Sequence, residues 1–202
     1  MPVRNPIEIG LQDEWIDQAD AFKLRVDRKK TAAGMVTRRF DASTDADIGW
    51  LGERVVYEFF KSLCDASSSA DCHWLNQDDE KFAPYDLQVH TETGILTVDV
   101  KSAKPVRYTP QECRTRISTW SYLYPVTQKP LEKDYVALVY VFKPSRLAMI
   151  VGFIEGAVIA SCPQKEKAVE GPAEKYIIPN YDIRPIAEKF IDPSDFVRSL
   201  GL

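Results

Sequence analysis

Apolar residues in the first sixty positions recur at the spacing of an α-helix. A first stripe, with intervals of four, three and four positions, consists of Trp15, Ala19, Phe22 and Val26. A second stripe consists of Ile48, Leu51, Val55, Val56, Phe59 and Phe60. The pattern predicts one helix from about Gln12 to Lys30 and another that begins after N-cap candidates at 43–47. Glu53 lies near one edge of the second stripe and can face along a packed surface.

Farther along the chain, apolar and polar residues alternate with the period of a β-strand. Two such segments, Tyr85–Val89 and Ile95–Lys101, flank the turn-forming sequence Thr91–Gly94, and together they predict a hairpin. Tyr135–Phe142 and Leu147–Phe153 are also predicted strands, and the first is apolar enough to be buried on both faces. We expect these strands to extend the same sheet as the hairpin.

Weaker signals complete the prediction of secondary structure. A short strand is indicated near His73–Leu75, and a strand or extended edge segment within Arg114–Val126, which is rich in β-branched and aromatic residues. We expect a short helix or turn at Glu155–Ala160, a strand at Lys175–Ile178 and a final helix at Pro193–Leu200. This order of helices and strands indicates an α/β (α+β) fold.

Length and composition indicate one domain over residues 1–202. The sequence is 45% hydrophobic and 28% charged, as in ordinary globular proteins. Its longest apolar stretches are about eight residues, whereas a membrane-spanning helix needs roughly 20. The N-terminus lacks the apolar core of a secretory signal. We therefore expect a cytoplasmic protein with no membrane partner.

The cysteines are expected to be free thiols. Four are present, Cys64, Cys72, Cys113 and Cys162, and nothing in the sequence indicates secretion. No CxxC pair occurs and the chain has only two histidines, so a zinc site is disfavoured.

The net charge of −4 argues against a protein that coats nucleic acid, because phosphate binding depends on clustered Lys and Arg. Two basic clusters are nevertheless visible. The first comprises Lys23, Arg25, Arg28, Lys29, Lys30, Arg38 and Arg39; the second comprises Lys101, Lys104, Arg107, Arg114 and Arg116. Each is either a solvated surface or part of a docking site for phosphates.

Two acids and a lysine lie on the predicted hairpin. Residues i and i+2 of a strand project to the same face, so the side chains of Asp99 and Lys101 emerge together. The turn can bring Asp86, on the preceding strand, close to Asp99. Two converging carboxylates, with the Val100 backbone carbonyl and water, suit Mg²⁺, and Mn²⁺ would also fit.

The same grouping has a chemical reason. Like charges held close together are costly unless a cation lies between them. A bound metal would polarise a phosphate and lower the pKa of a water molecule, and the Lys101 ammonium could orient or help deprotonate that water. The residues therefore favour hydrolysis of a phosphodiester.

Three short motifs resemble those of the PD-(D/E)XK nuclease superfamily, which has the restriction-endonuclease-like fold. They are Pro84-Tyr85-Asp86, Asp99-Val100-Lys101 and, upstream, Gly52-Glu53. The first departs from the family's Pro-Asp by the insertion of Tyr85. The resemblance implies a central mixed β-sheet flanked by helices, with a core at about 47–153 and variable ends at 1–44 and 155–202.

The resemblance also implies roles for these residues. Asp86 and Asp99 would be metal ligands, Lys101 the catalytic lysine, and Glu53 a further acid that contacts the metal directly or through water. The implied activity is Mg²⁺-dependent cleavage of DNA, in a phage, a mobile element or a repair or defence pathway. The residues expected to bind nucleic acid are Lys104, Arg107, Arg114 and Arg116.

Other interpretations stay open. Asp99 and Lys101 could form an ion pair on a solvated strand face, and Glu53 could pair with Arg54 or Lys61 on its own helix. The chain could be a structure-selective nuclease such as a junction resolvase, which would require a homodimer. It could also be a non-catalytic nucleic-acid-binding or interaction protein with the same fold.

Two further groups near the motifs have open roles. Trp120, Tyr122 and Tyr124 could stack the bases of a single strand, although packing in the core or at an edge is the commoner use of aromatic residues. Gln128 and Lys129 are expected in a surface loop.

Overall fold

The computed structural model describes residues 5–32, 45–67, 69–77, 84–117, 122–170, 175–184 and 186–201. Helices in this part of the chain are α1 (Asp13–Ala32), α2 (Ala46–Ala66), α3 (Pro110–Arg116), α4 (Gly156–Ser161), α5 (Ile186–Lys189) and α6 (Pro193–Leu200). The strands are β1 (Ile7–Gly10), β2 (Asp71–Trp74), β3 (Leu87–Thr91), β4 (Gly94–Ala103), β5 (Tyr122–Pro125), β6 (Tyr135–Phe142), β7 (Leu147–Glu155), β8 (Gln164–Glu170) and β9 (Lys175–Ile183). Short 3₁₀ turns lie at Val126–Gln128, Pro130–Glu132 and Lys143–Ser145.

A six-stranded mixed sheet has the order β1-β7-β6-β4-β3-β2. Strands β4 and β6 are parallel, and all the other neighbours in this sheet are antiparallel. Strands β3 and β4 form the predicted hairpin, with Leu87 opposite Val98 and Thr91 opposite Gly94. Gly94 has a φ of 144°, which residues with a side chain rarely adopt.

The two faces of this sheet belong to different hydrophobic cores. In β6, Val139 and Val141 pack in the core formed with α1, α2 and α6, whereas Leu138 and Tyr140 pack in the core on the opposite face. Successive residues of a strand point to opposite faces, so a strand covered on both sides is apolar throughout. The prediction that this strand is buried on both faces is confirmed.

A second layer covers the face opposite α2. It contains a three-stranded antiparallel sheet with the order β5-β9-β8, together with α3, α4 and α5. Tyr124 from β5, Ile159 from α4 and Ile183 from β9 are all fully buried there. The described chain is therefore a mixed α/β structure in which helices flank a mixed sheet.

The prediction of a strand within Arg114–Val126 is only partly right. Pro110–Arg116 is a helix, because Thr109 and Glu112 form a reciprocal capping box and Pro110 occupies the first helical position. Among the described residues of this segment, the strand spans Tyr122–Pro125. Strands β1 and β8 were not predicted, and β8 is so rich in charged residues that it gives no apolar signal.

Several other predictions are confirmed. The final helix has the predicted bounds, and Asp192 caps it by accepting a hydrogen bond of 3.1 Å from the Ser194 N–H. The four cysteines are buried free thiols. Among the helices of the described residues, none has both the length and the hydropathy required to cross a bilayer.

Candidate active site

Helix α2 lies directly against strand β4 at Gly52. A Cβ atom at this position would lie 1.8 Å from Ser102 Oγ and 2.9 Å from Ser102 Cβ, so a larger residue would push the helix and strand apart. One turn earlier, Gly49 faces open space. The close approach at Gly52 brings the next residue, Glu53, beside the sheet.

The hairpin brings Asp86 next to Asp99, as predicted. Asp86 immediately precedes β3, where Leu87 lies opposite Val98, and its N–H donates to the Val98 carbonyl over 3.0 Å. Two residues farther along β4, the side chain of Asp86 replaces its backbone as the hydrogen-bond partner: Asp86 Oδ2 accepts a 2.6 Å hydrogen bond from the Val100 N–H. The end of the strand ladder therefore fixes the Asp86 carboxylate against β4.

Asp99 and Lys101 share the face of β4 that is opposite to Val98 and Val100. The Lys101 ammonium lies 3.0 Å from Asp99 Oδ1 and 2.9 Å from Asp99 Oδ2. Asp99 is only 5% exposed, and the Tyr124 hydroxyl donates to its Oδ2 over 3.2 Å. Because the Lys101 side chain is only 19% exposed, this ion pair is largely buried, unlike the solvated surface pair that remained open from the sequence.

Two side chains of the β2 region hold Glu53 in place, and one of them also joins it to Asp86. The Asn76 amide donates to Asp86 Oδ1 over 2.8 Å and to Glu53 Oε2 over 3.3 Å. The Trp74 indole N–H donates to the same Glu53 oxygen over 2.9 Å. Sequence reasoning missed both residues, although it predicted the short strand that ends beside them.

Glu53 is not paired within its own helix. Arg54 forms its ion pair with Glu58 at 2.5 Å, and Lys61 forms its ion pair with Asp65 at 2.8 Å. The alternative in which Glu53 pairs with Arg54 or Lys61 is therefore not what the structure shows. The carboxylate instead faces the hydrogen bonds from β2 and the hairpin.

Two carboxylates of this cluster, Glu53 and Asp86, have a raised pKa. Burial raises the pKa of Glu53, and the hydrogen bonds from Trp74 and Asn76 only partly oppose it. Burial raises the pKa of Asp86 well above its ordinary value, and the negative charges of Glu53 and Asp99 raise it further. Both shifts reflect the cost of placing negative charge at these two positions, a cost that a nearby cation would offset.

Lys133 is a second lysine near these acids, and sequence reasoning missed it. It is 8% exposed, its ammonium donates to the Gln128 carbonyl, and it lies 5.9 Å from the centre of the Tyr124 ring. Lys101 lies 6.0 Å from the same ring centre. Burial lowers the pKa of Lys133, while Asp99 opposes that effect. No motif in the sequence marks it, because a 3₁₀ turn distant from the hairpin positions it.

The loop around Gln128 and Lys129 takes part only through its backbone. Both side chains are exposed, as predicted, and Lys129 pairs with Glu132 at 2.9 Å. The Gln128 carbonyl, however, also accepts a 3.4 Å hydrogen bond from the Tyr124 hydroxyl. Tyr124 is fully buried, so its ring packs in the core and does not stack bases. Trp120 lies outside the described residues.

The donor set fits a small divalent cation. Within the described ranges, no three His, Cys, Asp or Glu side chains are grouped closely enough to hold a metal among them. Mg²⁺, however, commonly uses one or two carboxylates and keeps several waters. The oxygens of Asp86 and Asp99 accept hydrogen bonds here, and a carboxylate has about four lone-pair sites. The Val100 carbonyl stays a predicted ligand.

The predicted nucleic-acid-binding residues differ in their surroundings. Lys104 and Arg107 are exposed. Arg114 makes a two-point contact with Glu8, including a 2.6 Å hydrogen bond from Nη2 to Oε2. Arg116 lies 5.2 Å over the Tyr108 ring. Lys104 and Arg107 are thus better placed for phosphate than Arg114, whose guanidinium already holds a carboxylate.

Comparison with protein-family models, with curated proteins and with solved structures finds no match to this chain. Function is therefore inferred from the geometry around Asp86, Asp99 and Lys101, and from the chemistry that these side chains support.

Proposed function

We propose that this protein is a Mg²⁺-dependent nuclease that hydrolyses phosphodiester bonds in DNA, on a PD-(D/E)XK-like site formed by Glu53, Asp86, Asp99 and Lys101. The observation that carries the proposal is the meeting of Asp86 with the buried Asp99–Lys101 pair at the end of one hairpin. Buried acids held together in this way are costly without a cation. A function in binding a metal ion and a phosphate would explain why the chain keeps these acids together.

Asp86 and Asp99 are the proposed metal ligands, with the Val100 carbonyl and Glu53 as additional ones. Magnesium bound there would supply Lewis-acid polarisation of the phosphate and a water of lowered pKa. Mn²⁺ would serve the same purpose. The residues around these oxygens keep them in place, because Asn76 holds Asp86 and Glu53 together and Tyr124 holds Asp99.

Lys101 is the proposed catalytic lysine. Asp99 holds its ammonium at 2.9–3.0 Å, so the cation stays beside the carboxylates without blocking both faces of the cluster. From that position the ammonium orients the attacking water and neutralises charge that develops on a phosphoryl oxygen. Lys133, 5.9 Å from the centre of the Tyr124 ring, adds a second positive charge near the same acids.

The experiment is a cleavage assay on a panel of labelled substrates: linear duplex, single-stranded and branched DNA, and RNA of the same sequence. Each is incubated with Mg²⁺, Mn²⁺ or EDTA. The parent should cut DNA only with a metal, and Asp99→Asn and Lys101→Met should not cut. Lys165→Met, which removes an exposed lysine from β8, is the matched control and should cut like the parent.

The outcomes are separable. Cutting by both site variants at the parental rate would show that the site is misassigned. Absence of cutting by the parent, together with no heat of Mg²⁺ or Mn²⁺ binding at millimolar concentration, would favour a non-catalytic binding protein. Preferential cutting of branched DNA by a species with twice the monomer mass would indicate a junction resolvase.

A further inference from the structure

A cleft of about 540 Å³ lies between α1 and α2. Its volume is in the range of roughly 300–1,000 Å³ that is typical of ligand sites. The lining residues on which its chemistry depends are Leu24, Arg25, Arg28, Trp50, Arg54 and Gln77. We call this feature the basic cleft, because three of these residues are arginines and none of the described residues that line it is Asp or Glu.

Two of the arginines are available to a ligand. Arg25 and Arg28 are exposed, and within the described part of the chain neither forms an ion pair. They are three positions apart on α1, so their side chains project from the same side of the helix. A net charge of −4 for the whole chain makes this local excess of positive charge a specific feature of the cleft.

The wall of the cleft also has more donors than acceptors. The indole N–H of Trp50 and the Nε–H of Arg54 are buried, and neither has an acceptor among the residues that the structure describes. The rest of the Arg54 guanidinium is held in place by Glu58 and lies 5.3 Å from the centre of the Trp15 ring. The three lining arginines favour a ligand rich in acceptor oxygens.

The basic cleft adjoins the candidate active site. Its residue Gln77 directly follows Asn76, whose amide joins Glu53 to Asp86. Its residue Trp50 lies 5.1 Å, between ring centres, from Trp74, which donates to Glu53. The two sites therefore share one region of the surface, close enough for one bound polymer to contact both.

The geometry points to a binding site for single-stranded DNA in the basic cleft, occupied by the nucleotides that flank the bond to be cut. This inference rests on the proposed function for the identity of the polymer. Arg25 and Arg28 would contact successive phosphates. Leu24 is 58% exposed, and the face of an unpaired base can cover it, whereas the bases of a duplex stay stacked inside.

The test measures binding separately from cutting. Fluorescence anisotropy of a fluorescein-labelled 20-nucleotide single strand is recorded with the full chain in EDTA, at several NaCl concentrations. In Arg25→Ala/Arg28→Ala we expect Kd to rise about tenfold or more. We also expect the slope of log Kobs against log[NaCl] to become shallower by about 1.4, for two lost contacts to a single strand. The control Lys165→Ala/Lys167→Ala, on exposed positions of β8, should stay within twofold.

A second variant tests the single-strand assignment. Leu24→Ala should weaken binding of the single strand two- to threefold and leave binding of a duplex of the same sequence unchanged. Equal weakening of both, or a double-arginine variant that binds like the parent, would overturn the inference. Binding that depends on the arginines in a protein that never cuts would uphold the cleft and refute the nuclease. Cutting of DNA by the double-arginine variant at the parental rate would uphold the nuclease and refute the role of the cleft.

Discussion

Helix α2 contributes one acid to each of two tertiary groups of charged side chains, Asp47 to one and Glu53 to the other, and the two groups are balanced differently. Asp47 is 7% exposed and pairs with Lys143 at 2.9 Å and with Lys23 at 3.7 Å, while Lys143 also contacts Asp20. That group has two acids and two lysines. Around Glu53, three acids share two lysines: Lys101 pairs with Asp99, and Lys133 lies 5.9 Å from the centre of the Tyr124 ring.

The pKa shifts of the charged side chains in the two groups reflect this difference in balance. Burial acts to lower the pKa of Lys143, but the hydrogen bonds with Asp20 and Asp47 outweigh it and raise the pKa. In the second group, burial raises the pKa of Glu53 and Asp86. The first group is therefore satisfied by the chain itself, whereas the second would gain from an external cation. This difference, more than the presence of buried charge, distinguishes a candidate site from a structural ion pair.

The largest expected effect is on catalysis by the second group. Lys101→Met should lower the rate of metal-dependent DNA cleavage by about 10²–10⁴, the range for loss of a general acid or base. Because the change also leaves the buried Asp99 carboxylate without its ammonium, the midpoint of thermal unfolding should fall, and the rate is compared per folded molecule. Rates from single-turnover cleavage and a melting curve measure both. A variant that unfolds but cuts normally per folded molecule would make this lysine structural, like Lys143.

Breaking the first group should lower the stability of the protein and leave cleavage per folded molecule unchanged. Lys143→Met leaves the buried Asp47 carboxylate with only the more distant Lys23, and we expect a loss of about 2 kcal/mol in the free energy of unfolding. Urea denaturation measures it, and cleavage per folded molecule should stay at the parental level. Asp20→Asn, which removes an exposed partner of the same lysine, should cost well under about 1 kcal/mol. Loss of activity without loss of stability would contradict the comparison.

The two glycines of α2 offer a matched pair between the two groups. Gly52→Ala places a methyl group against Ser102, so we expect it to cost about 1–3 kcal/mol and to reduce cleavage by displacing Glu53. Gly49→Ala meets open space and should raise stability by up to about 1 kcal/mol through helix propensity. Chemical denaturation and the cleavage assay test both. Similar results for the two variants would contradict the close approach at Gly52.

The smallest expected effect is on the pH dependence of stability. Because the pKa of Glu53 is raised by folding, the folded protein keeps a proton that the unfolded chain releases at lower pH. Stability therefore falls as pH rises between the unfolded and the folded pKa. Glu53→Gln retains an oxygen for Trp74 and Asn76 but has no proton to release. In EDTA, its thermal midpoint should exceed the parental one above this window and match it below.

Added Mg²⁺ provides the control for that measurement. It should raise the thermal midpoint of the parent, because a ligand that binds only the folded state stabilises it. The rise should be smaller in Glu53→Gln. An equal rise in both proteins would show that Glu53 has no influence on the metal.

The hairpin and its pair of acids were accessible from the sequence because alternation and a short turn are local features. Asp86 and Asp99 are close since one turn folds two neighbouring strands together. Asn76 and Trp74 were not identified, because their role depends on how β2 pairs with β3 and how α2 packs on the sheet. Lys133 depends on the placement of a 3₁₀ turn in the same way.

The fold shows the same limit. The apolar runs of β6 and β7 determine their burial, so both were predicted closely. Strand β8 is exposed and mostly charged, and pairing with β9 keeps it extended. Arg114 looked like a phosphate ligand in the sequence, but its partner Glu8 is 106 positions away and belongs to the unpredicted strand β1. A contact between residues so far apart produces no periodic pattern in the sequence from which it could be predicted.

The edge strand β1 has a consequence for biosynthesis. Its residue Ile7 pairs with Ile150 of β7, so it cannot join the sheet of a growing chain until that later segment has left the ribosome. Until then, the backbone amides and carbonyls of β1 lack the hydrogen bonds that they form with β7 in the folded protein. Such segments depend on slow, long-range closure and are exposed to misassociation. The yield of folded protein should therefore depend more on translation speed and chaperone supply than on the stability of the folded state.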